Sequence, residues 1–369
     1  MTDLLTSPLH AEHEKLGATF TAFGPWNMPL KYQNELDEHR AVRNNAGLFD
    51  LSHMGEIWVN GADAAKFLSY AFISNFEPLK VGKAKYSMIA AADGGIIDDL
   101  ITYRFEEDKF LVVPNAGNAD TVWEELNKRA EGFDVSLKNE SRDVAMIAVQ
   151  GPKAAEILVP LVEDNKQDEV YNLGYYAATM GKVARTFAII ARTGYTGEDG
   201  FELIVYNSDA PQLWEELLKA GAEYDLKPCG LAARDSLRLE AGMPLYGNEL
   251  SRDITPVEAG MSRAFAKKEA DFVGSEVIRQ RAAEGPQVAI TGLTSKQRRA
   301  ARAGAEVFVG EKKVGTVTSG QPSPTLGHPV AIALLETSAN LEPGSEIEVE
   351  IRGKRYPFEV TALPFYKRD

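Results

Sequence analysis

Apolar and polar positions change their period several times along the chain, and the changes repeat. Ile57-Trp58-Val59-Asn60-Gly61 reads as a strand closing on a glycine turn, and Ala64-Ala65-Lys66-Phe67-Leu68 as the short helix after it. Ninety residues on, Ile147-Ala148-Val149-Gln150-Gly151 and Ala154-Ala155-Glu156-Ile157-Leu158 follow the same pattern. A second echo has an offset of 91: Phe110-Leu111-Val112-Val113 leads to Trp123-Glu124-Glu125-Leu126, and Phe201-Glu202-Leu203-Ile204 to Trp214-Glu215-Glu216-Leu217. Glycine turns fall in corresponding places, at Asp93-Gly94-Gly95 and Gly197-Glu198-Asp199-Gly200. The pattern predicts an α+β fold of two related units, each with helices on one face of a mainly antiparallel sheet.

Beyond Val288 the helical period fades. Alternating segments at Ala305–Val309, Lys313–Thr318, Ala331–Leu335, Glu346–Ile351 and Tyr356–Thr361 are separated by turn residues, which predicts a small C-terminal β-barrel domain. Helices are expected at Leu231–Gly242 and near Ser275–Ala283. The expected divisions are 51–139 for the first repeat, 1–50 with 140–285 for the second, and 286–369 for the barrel.

Composition narrows the function. A chain of 369 residues, 44% hydrophobic and 25% charged, is ordinary globular protein. No apolar run is long enough to span a membrane, and the N-terminus reads as neither a signal nor a transit peptide. The single cysteine, Cys229, excludes an intrachain disulfide and fits a cytoplasmic, reducing setting. A net charge of −14 argues against nucleic acid. One basic run, Lys296, Arg298, Arg299 and Arg302, is expected to be a solvated surface segment or a docking spot for an acidic partner. There is no dinucleotide fingerprint, no P-loop, no GxSxG elbow and no metal-ligand spacing, so no metal is expected.

The chemistry therefore rests on carboxylates and an arginine. In Gly95-Ile96-Ile97-Asp98-Asp99-Leu100-Ile101-Thr102-Tyr103-Arg104, strand alternation sets Asp99 among Ile97, Ile101, Tyr103 and Phe105, an apolar and aromatic face. Asp98 shares the other face with Thr102 and Arg104, where pairing is at hand. Aligned at 91 residues, Asp99 falls opposite Ile190, and Glu202 opposite Leu111. A fold position that accepts an aliphatic residue in one copy does not need an acid for folding, so both acids are expected to face a ligand between the repeats. A carboxylate such as Glu202 can accept two N–H bonds from a flat heterocycle. In Leu231–Gly242, Asp235 and Arg238 form an i,i+3 pair, while Arg234 reads either as a solvated surface arginine or as a fork onto a ligand.

At these residues the chain resembles the glycine cleavage T-protein family. The blocks PWNMPLKY, GLFDLSHMG, GGIIDDLITY, AVQGP, RTGYTGEDGFE, GLAARDSLRLEAGMPLYGNEL and GTVTSGQPSPTLG stand in the family's order over nearly the whole chain. The resemblance implies three domains around a central folate cavity. It implies tetrahydrofolate as co-substrate and the lipoyl H-protein as partner. It implies transfer of a one-carbon unit from an aminomethyl-dihydrolipoyl group, releasing ammonia. It makes Asp99 the essential acid, Glu202 the pterin-binding acid and Arg234 a folate-binding arginine. Met54, Tyr86, Tyr103, Asn115 and Tyr195 match positions lining the folate cavity. One departure is Arg263, where many members carry a tryptophan. Two other readings stay open: a folate domain of the dimethylglycine or sarcosine oxidase type, and a non-enzymatic folate-binding protein linked to iron–sulfur cluster assembly. The chain shows neither a flavin fingerprint nor a KGCYxGQE-type block.

Overall fold

A computed structural model describes residues 4–368; residues 1–3 and 369, the outer ends of the expected divisions, lie outside it. The chain divides into two compact units. The first holds the chain up to Ala71, then Phe76–Ser87 and Leu100–Arg234. The second holds Phe72–Asn75, Met88–Asp99 and the chain from Asp235 onward.

The duplication is visible as two sheets of matching order. One runs Ala178–Val183, Thr186–Ala191, Gly200–Tyr206, Val144–Gln150, Gly47–Asp50, Lys227–Cys229. The other runs Ala84–Ala90, Ile96–Glu106, Lys109–Pro114, Ile57–Asn60, Ser136–Asn139. Gly47–Asp50 precedes the first repeat but pairs with Val144–Gln150 of the second, Asp50 opposite Ile147. Ser136–Asn139 precedes the second repeat but pairs with Ile57–Asn60 of the first, Asn139 opposite Ile57. Both pairings are non-local and carry no local sequence signal.

Helix starts follow from chemistry close by. Glu35–Asn44 begins where the Asn34 side chain accepts the Leu36 N–H at 3.0 Å, and Glu35, Asp37 and Glu38 sit in the positive first turn. Ala154–Leu158 and Ala210–Gly221 set Ile157, Leu213 and Leu217 against Ile147, Val149 and Leu203 of the second repeat's sheet, with Trp214 sealed inside. The two Trp-Glu-Glu-Leu helices occupy equivalent places, and Leu126 and Leu217 are both fully buried.

In the second unit a closed six-strand barrel runs Val288–Thr294, Pro329–Glu336, Lys312–Pro322, Glu306–Val309, Glu346–Ile351, Lys354–Thr361. Leu293, Val317, Ala333, Val349 and Phe358 fill it. Its first strand escapes the alternation rule, because most of Val288–Thr294 is half-buried on both faces. Helices form at Leu231–Glu240 and Ser275–Glu284. The turn before Ile96–Glu106 depends on glycine: Gly94 has φ +88°, and a Cβ on Gly95 would lie 2.0 Å from the Arg252 carbonyl oxygen. The basic run lies on a barrel loop with Lys296, Arg298, Arg299 and Arg302 all exposed. Arg263 is exposed too, on the turn Ser262–Ala264. No helix among the described residues is long and apolar enough to cross a membrane.

Candidate active site

Glu202 enters the strand Gly200–Tyr206 from a loop that other side chains hold in shape. Gln150 donates to the Thr193 carbonyl at 3.0 Å and accepts from Thr196 at 2.9 Å. Gly194 leaves room for it, since a Cβ there would lie 1.9 Å from Gln150 Oε1. Arg43 donates to the Thr196 carbonyl at 2.7 Å and to Glu198 at 2.9 Å, an ion pair buried on both sides. Arg192 forks onto Asp199 at 2.9 and 2.6 Å.

This frame presents Glu202 to two hydroxyls. Thr193 Oγ1 donates to Glu202 Oε2 at 2.5 Å, and the Tyr103 hydroxyl lies 2.9 Å from Thr193 Oγ1 and 3.4 Å from the same Glu202 oxygen. Tyr103 comes from the first repeat and Glu202 from the second. Glu202 is half-buried, and its other oxygen, Oε1, accepts no hydrogen bond from any described residue. Burial raises its carboxyl pKa, while the Thr193 bond, the Arg234 charge and the Tyr103 bond pull the other way. Burial, reinforced by the Glu202 charge, pushes the Tyr103 phenol well above its ordinary range, so it stays a donor at neutral pH.

Arg234, in the first turn of Leu231–Glu240, lays its guanidinium over the Tyr195 ring at 4.7 Å. Its charge acts on Glu202 and on His53. His53 is 2% exposed, meets the Phe23 ring edge-on at 5.3 Å, and has no partner for Nδ1. Burial, then the Arg234 charge, lower its pKa to about 3 against a smaller pull from Asp50, so the imidazole is neutral. The structure therefore brings Tyr103, Tyr195, Glu202 and Arg234 into one neighbourhood. Met54 follows His53 in its loop, Tyr86 lies on Ala84–Ala90, and Asn115 follows Lys109–Pro114, each half-buried. Thr193 and His53 are the residues that sequence reasoning passed over; each adjoins a named position, Thr193 before Gly194 and His53 before Met54.

Two expectations need correction. On Ile96–Glu106 Asp98 is completely buried, with Leu100, Thr102 and Arg104; Asp99 is half-open on a face where Ile97 and Tyr103 are buried and Ile101 and Phe105 half-buried. Alternation assigns side chains to two faces but does not say which face a second layer covers. The 91-residue alignment also slips. Tyr103 pairs with Leu111 and Ala191 with Glu202, so Tyr103 matches Ala191 and Asp99 falls opposite Phe187, not Ile190. The pairing of Glu202 with Leu111 holds, as Ile57 faces Val112 where Ile147 faces Leu203. Within its own unit Asp99 acts, with Asp98, to raise the Tyr246 phenol; burial is the larger cause, and Arg252 opposes it. Tyr246 donates to the Ile96 carbonyl at 3.1 Å. Among the described residues, no group of three or more His, Cys, Asp or Glu could hold a metal ion.

Comparison with known proteins agrees over the full length. Residues 9–269 match the GCVT N-terminal domain, and residues 289–367 match the glycine cleavage T-protein C-terminal barrel domain. The chain is 84% identical to an aminomethyltransferase of Corynebacterium aurimucosum, with all of both chains covered. It is 52% identical to one of Streptomyces avermitilis over 98% of this chain and 97% of the relative. The crystal structure of glycine cleavage system aminomethyltransferase T from Bartonella henselae superposes with a TM-score of 0.91 at 40% identity, covering 99% of this chain and 98% of that one. With both its N-terminal domain and its barrel matched in this way, the chain belongs to the glycine cleavage T-protein family.

Proposed function

We propose that the chain is the aminomethyltransferase of the glycine cleavage system. It moves the one-carbon unit of an S-aminomethyl-dihydrolipoyl H-protein onto tetrahydrofolate. The carbon–sulfur bond breaks, ammonia leaves, and 5,10-methylenetetrahydrofolate and the reduced lipoyl partner are the products. The observation that carries this reading is the Glu202 carboxylate: one oxygen is satisfied by Thr193 and Tyr103, and the other is open.

The donor set fits a reduced pterin. A ring edge with an amino group beside a ring N–H offers two parallel donors, which suits a carboxylate. Tyr103 and Thr193 hold that carboxylate in place, and Arg234 favours its ionised form. The guanidinium stacked on Tyr195 gives a flat, cationic wall for a ring oxygen or a substrate carboxylate. His53, kept neutral, adds no second positive charge next to Arg234. Met54, Tyr86 and Asn115 are assigned to the lining of the same site on the family's pattern.

Asp99 is assigned as the acid of the reaction. A carboxylate on a half-open strand face can orient a reacting amine, accept its proton, or stabilise positive charge as the leaving group departs. The lone thiol takes no part: Cys229 is buried, and burial pushes its pKa well above the usual value. We place the enzyme in the cytoplasm.

The test is to incubate the chain with reduced lipoyl H-protein, ammonia and methylenetetrahydrofolate, and to weigh the H-protein. Aminomethyl loading is expected. Folate uptake without loading would reduce the chain to a binding protein, and no uptake would overturn the reading.

A further inference from the structure

The first repeat buries an acid that this reaction does not use. Glu56 is 2% exposed, and neither of its carboxyl oxygens has a hydrogen-bond partner. Its backbone is held on both sides. Glu56 N–H donates to Ser141 Oγ at 2.9 Å, and Glu140 N–H donates to the Glu56 carbonyl at 2.9 Å. The side chain lines a cleft of about 340 Å³ that no part of the transfer chemistry calls on.

The walls of the cleft are aromatic and aliphatic. Trp58 comes from the strand that Glu56 precedes. Phe187 and Tyr206 come from adjacent strands of the second repeat and are 52% and 56% exposed, unusual for such rings. The charged groups around it are already matched. Glu140 accepts from Trp58 Nε1 at 2.8 Å and from Lys138 at 2.5 Å. Lys109 lies 3.5 Å from Glu106 and holds its ammonium 5.1 Å over the Trp58 ring. Among the residues lining the cleft, the group left without a counterpart is therefore an acid. The Trp58 face is moreover one at which an ammonium already rests.

We propose that this cleft binds a small organic amine, its ammonium hydrogen-bonded to Glu56 and its apolar body against Trp58, Phe187 and Tyr206. An organic anion would find both lysines engaged and two acids, Glu56 and Glu140, beside it. Burial, with the Glu140 charge added, holds the Glu56 carboxyl well above the usual carboxylate range. Pairing with an ammonium favours its ionised form, so binding an amine is expected to release protons to solvent. Lys109, Lys138, Glu140, Asp143 and Tyr206 are the other titratable groups around it.

Calorimetric titration of the full chain with benzylamine, and with benzoate as the charge-reversed control, tests this. Two buffers of different ionisation enthalpy at neutral pH report the proton. Benzylamine is expected to bind with net release of protons, and benzoate not to bind. Glu56→Gln should weaken benzylamine at least about tenfold, as expected for a lost charge-assisted bond, and abolish the proton release. Phe187→Ala, an exposed position that does not threaten folding, should weaken it about threefold to tenfold. No benzylamine binding up to about 10 mM, the weak end for a small ligand, would overturn the proposal. So would equal affinity in both variants, or benzoate binding as tightly as the amine.

Discussion

Tyr103 from the first repeat and Glu202 from the second meet at 3.4 Å, with Thr193 Oγ1 within 2.9 Å of the phenol and 2.5 Å of the carboxylate. The two repeats are thus joined by a hydrogen-bonded side-chain triad. Thr193 has one hydroxyl proton, given to Glu202, so Tyr103 must supply the second donor. Removing either hydroxyl leaves a buried partner short of a bond.

Tyr103→Phe and Thr193→Val should each weaken tetrahydrofolate binding by about threefold to tenfold, the scale of one net hydrogen bond. Because they share Glu202, their effects should not add, and the double variant should depart from additivity by about 0.5 kcal/mol or more. Glu202→Gln should lose more affinity than either. It should fold at least as well as the parent, since it removes a carboxyl whose ionisation burial opposes. Fluorescence titration with thermal melts checks the set. Strict additivity would mean the three residues do not act as a unit.

The adjacent acids Asp98 and Asp99 should separate stability from turnover. Asp98 is fully buried, and replacing a buried, held carboxylate typically costs several kcal/mol, so Asp98→Asn should lower the melting temperature markedly. Asp99 is half-open, so Asp99→Asn should fold normally, keep its folate affinity, and lose most of its aminomethyl transfer. Unchanged turnover in Asp99→Asn would remove it from the chemistry.

These two acids also mark how far the sequence could be read. Strand, turn and helix order in both repeats is legible because local period and glycine positions carry it: Trp123 and Trp214 head the same helical pattern and lie on equivalent helices. Glu202 is legible as an acid within an apolar strand. What alternation does not reveal is how deeply each face of Ile96–Glu106 is covered, so Asp98 lies deeper than Asp99. The pairings of Gly47–Asp50 and Ser136–Asn139 join residues some 80 to 100 positions apart, such as Asp50 with Ile147. His53 and Thr193 gain their surroundings only when the loop closes on Gln150, Arg43 and Arg234.

In the second unit, Arg238 is the charge to remove. It is 1% exposed and donates to Asp235 at 2.8 Å, to Glu249 at 2.9 Å, to the Met243 carbonyl at 3.1 Å and to Ser319 at 2.8 Å. Glu249 is wholly buried, so Arg238→Met would strand its charge. A loss of about 3–5 kcal/mol is expected, read as a shift in the urea transition. Arg238→Lys should recover only part of it, since an ammonium does not reproduce the planar fork. A shift below about 1 kcal/mol for Arg238→Met would show that Glu249 is held by Leu245, Thr318 and Ser319 alone.

His53 should set part of the acid limb of stability. Its folded pKa of about 3 lies below the unfolded value of about 6.5, because burial and then Arg234 disfavour the imidazolium. Above pH 6.5 both states are neutral and the residue adds no pH dependence. As pH falls through the window between the two values, the unfolded chain takes up a proton that the native state refuses. Stability then drops by up to about 1.4 kcal/mol per pH unit, levelling below the folded value. His53→Gln keeps a polar side chain of similar reach that does not titrate. Between pH 7 and pH 4 the variant should lose about 3 kcal/mol less stability than the parent, measured as paired urea transitions at each pH. Parallel curves would mean that the native state admits a proton at His53 beside Arg234, and the neutral imidazole assigned to the folate site would have to be given up.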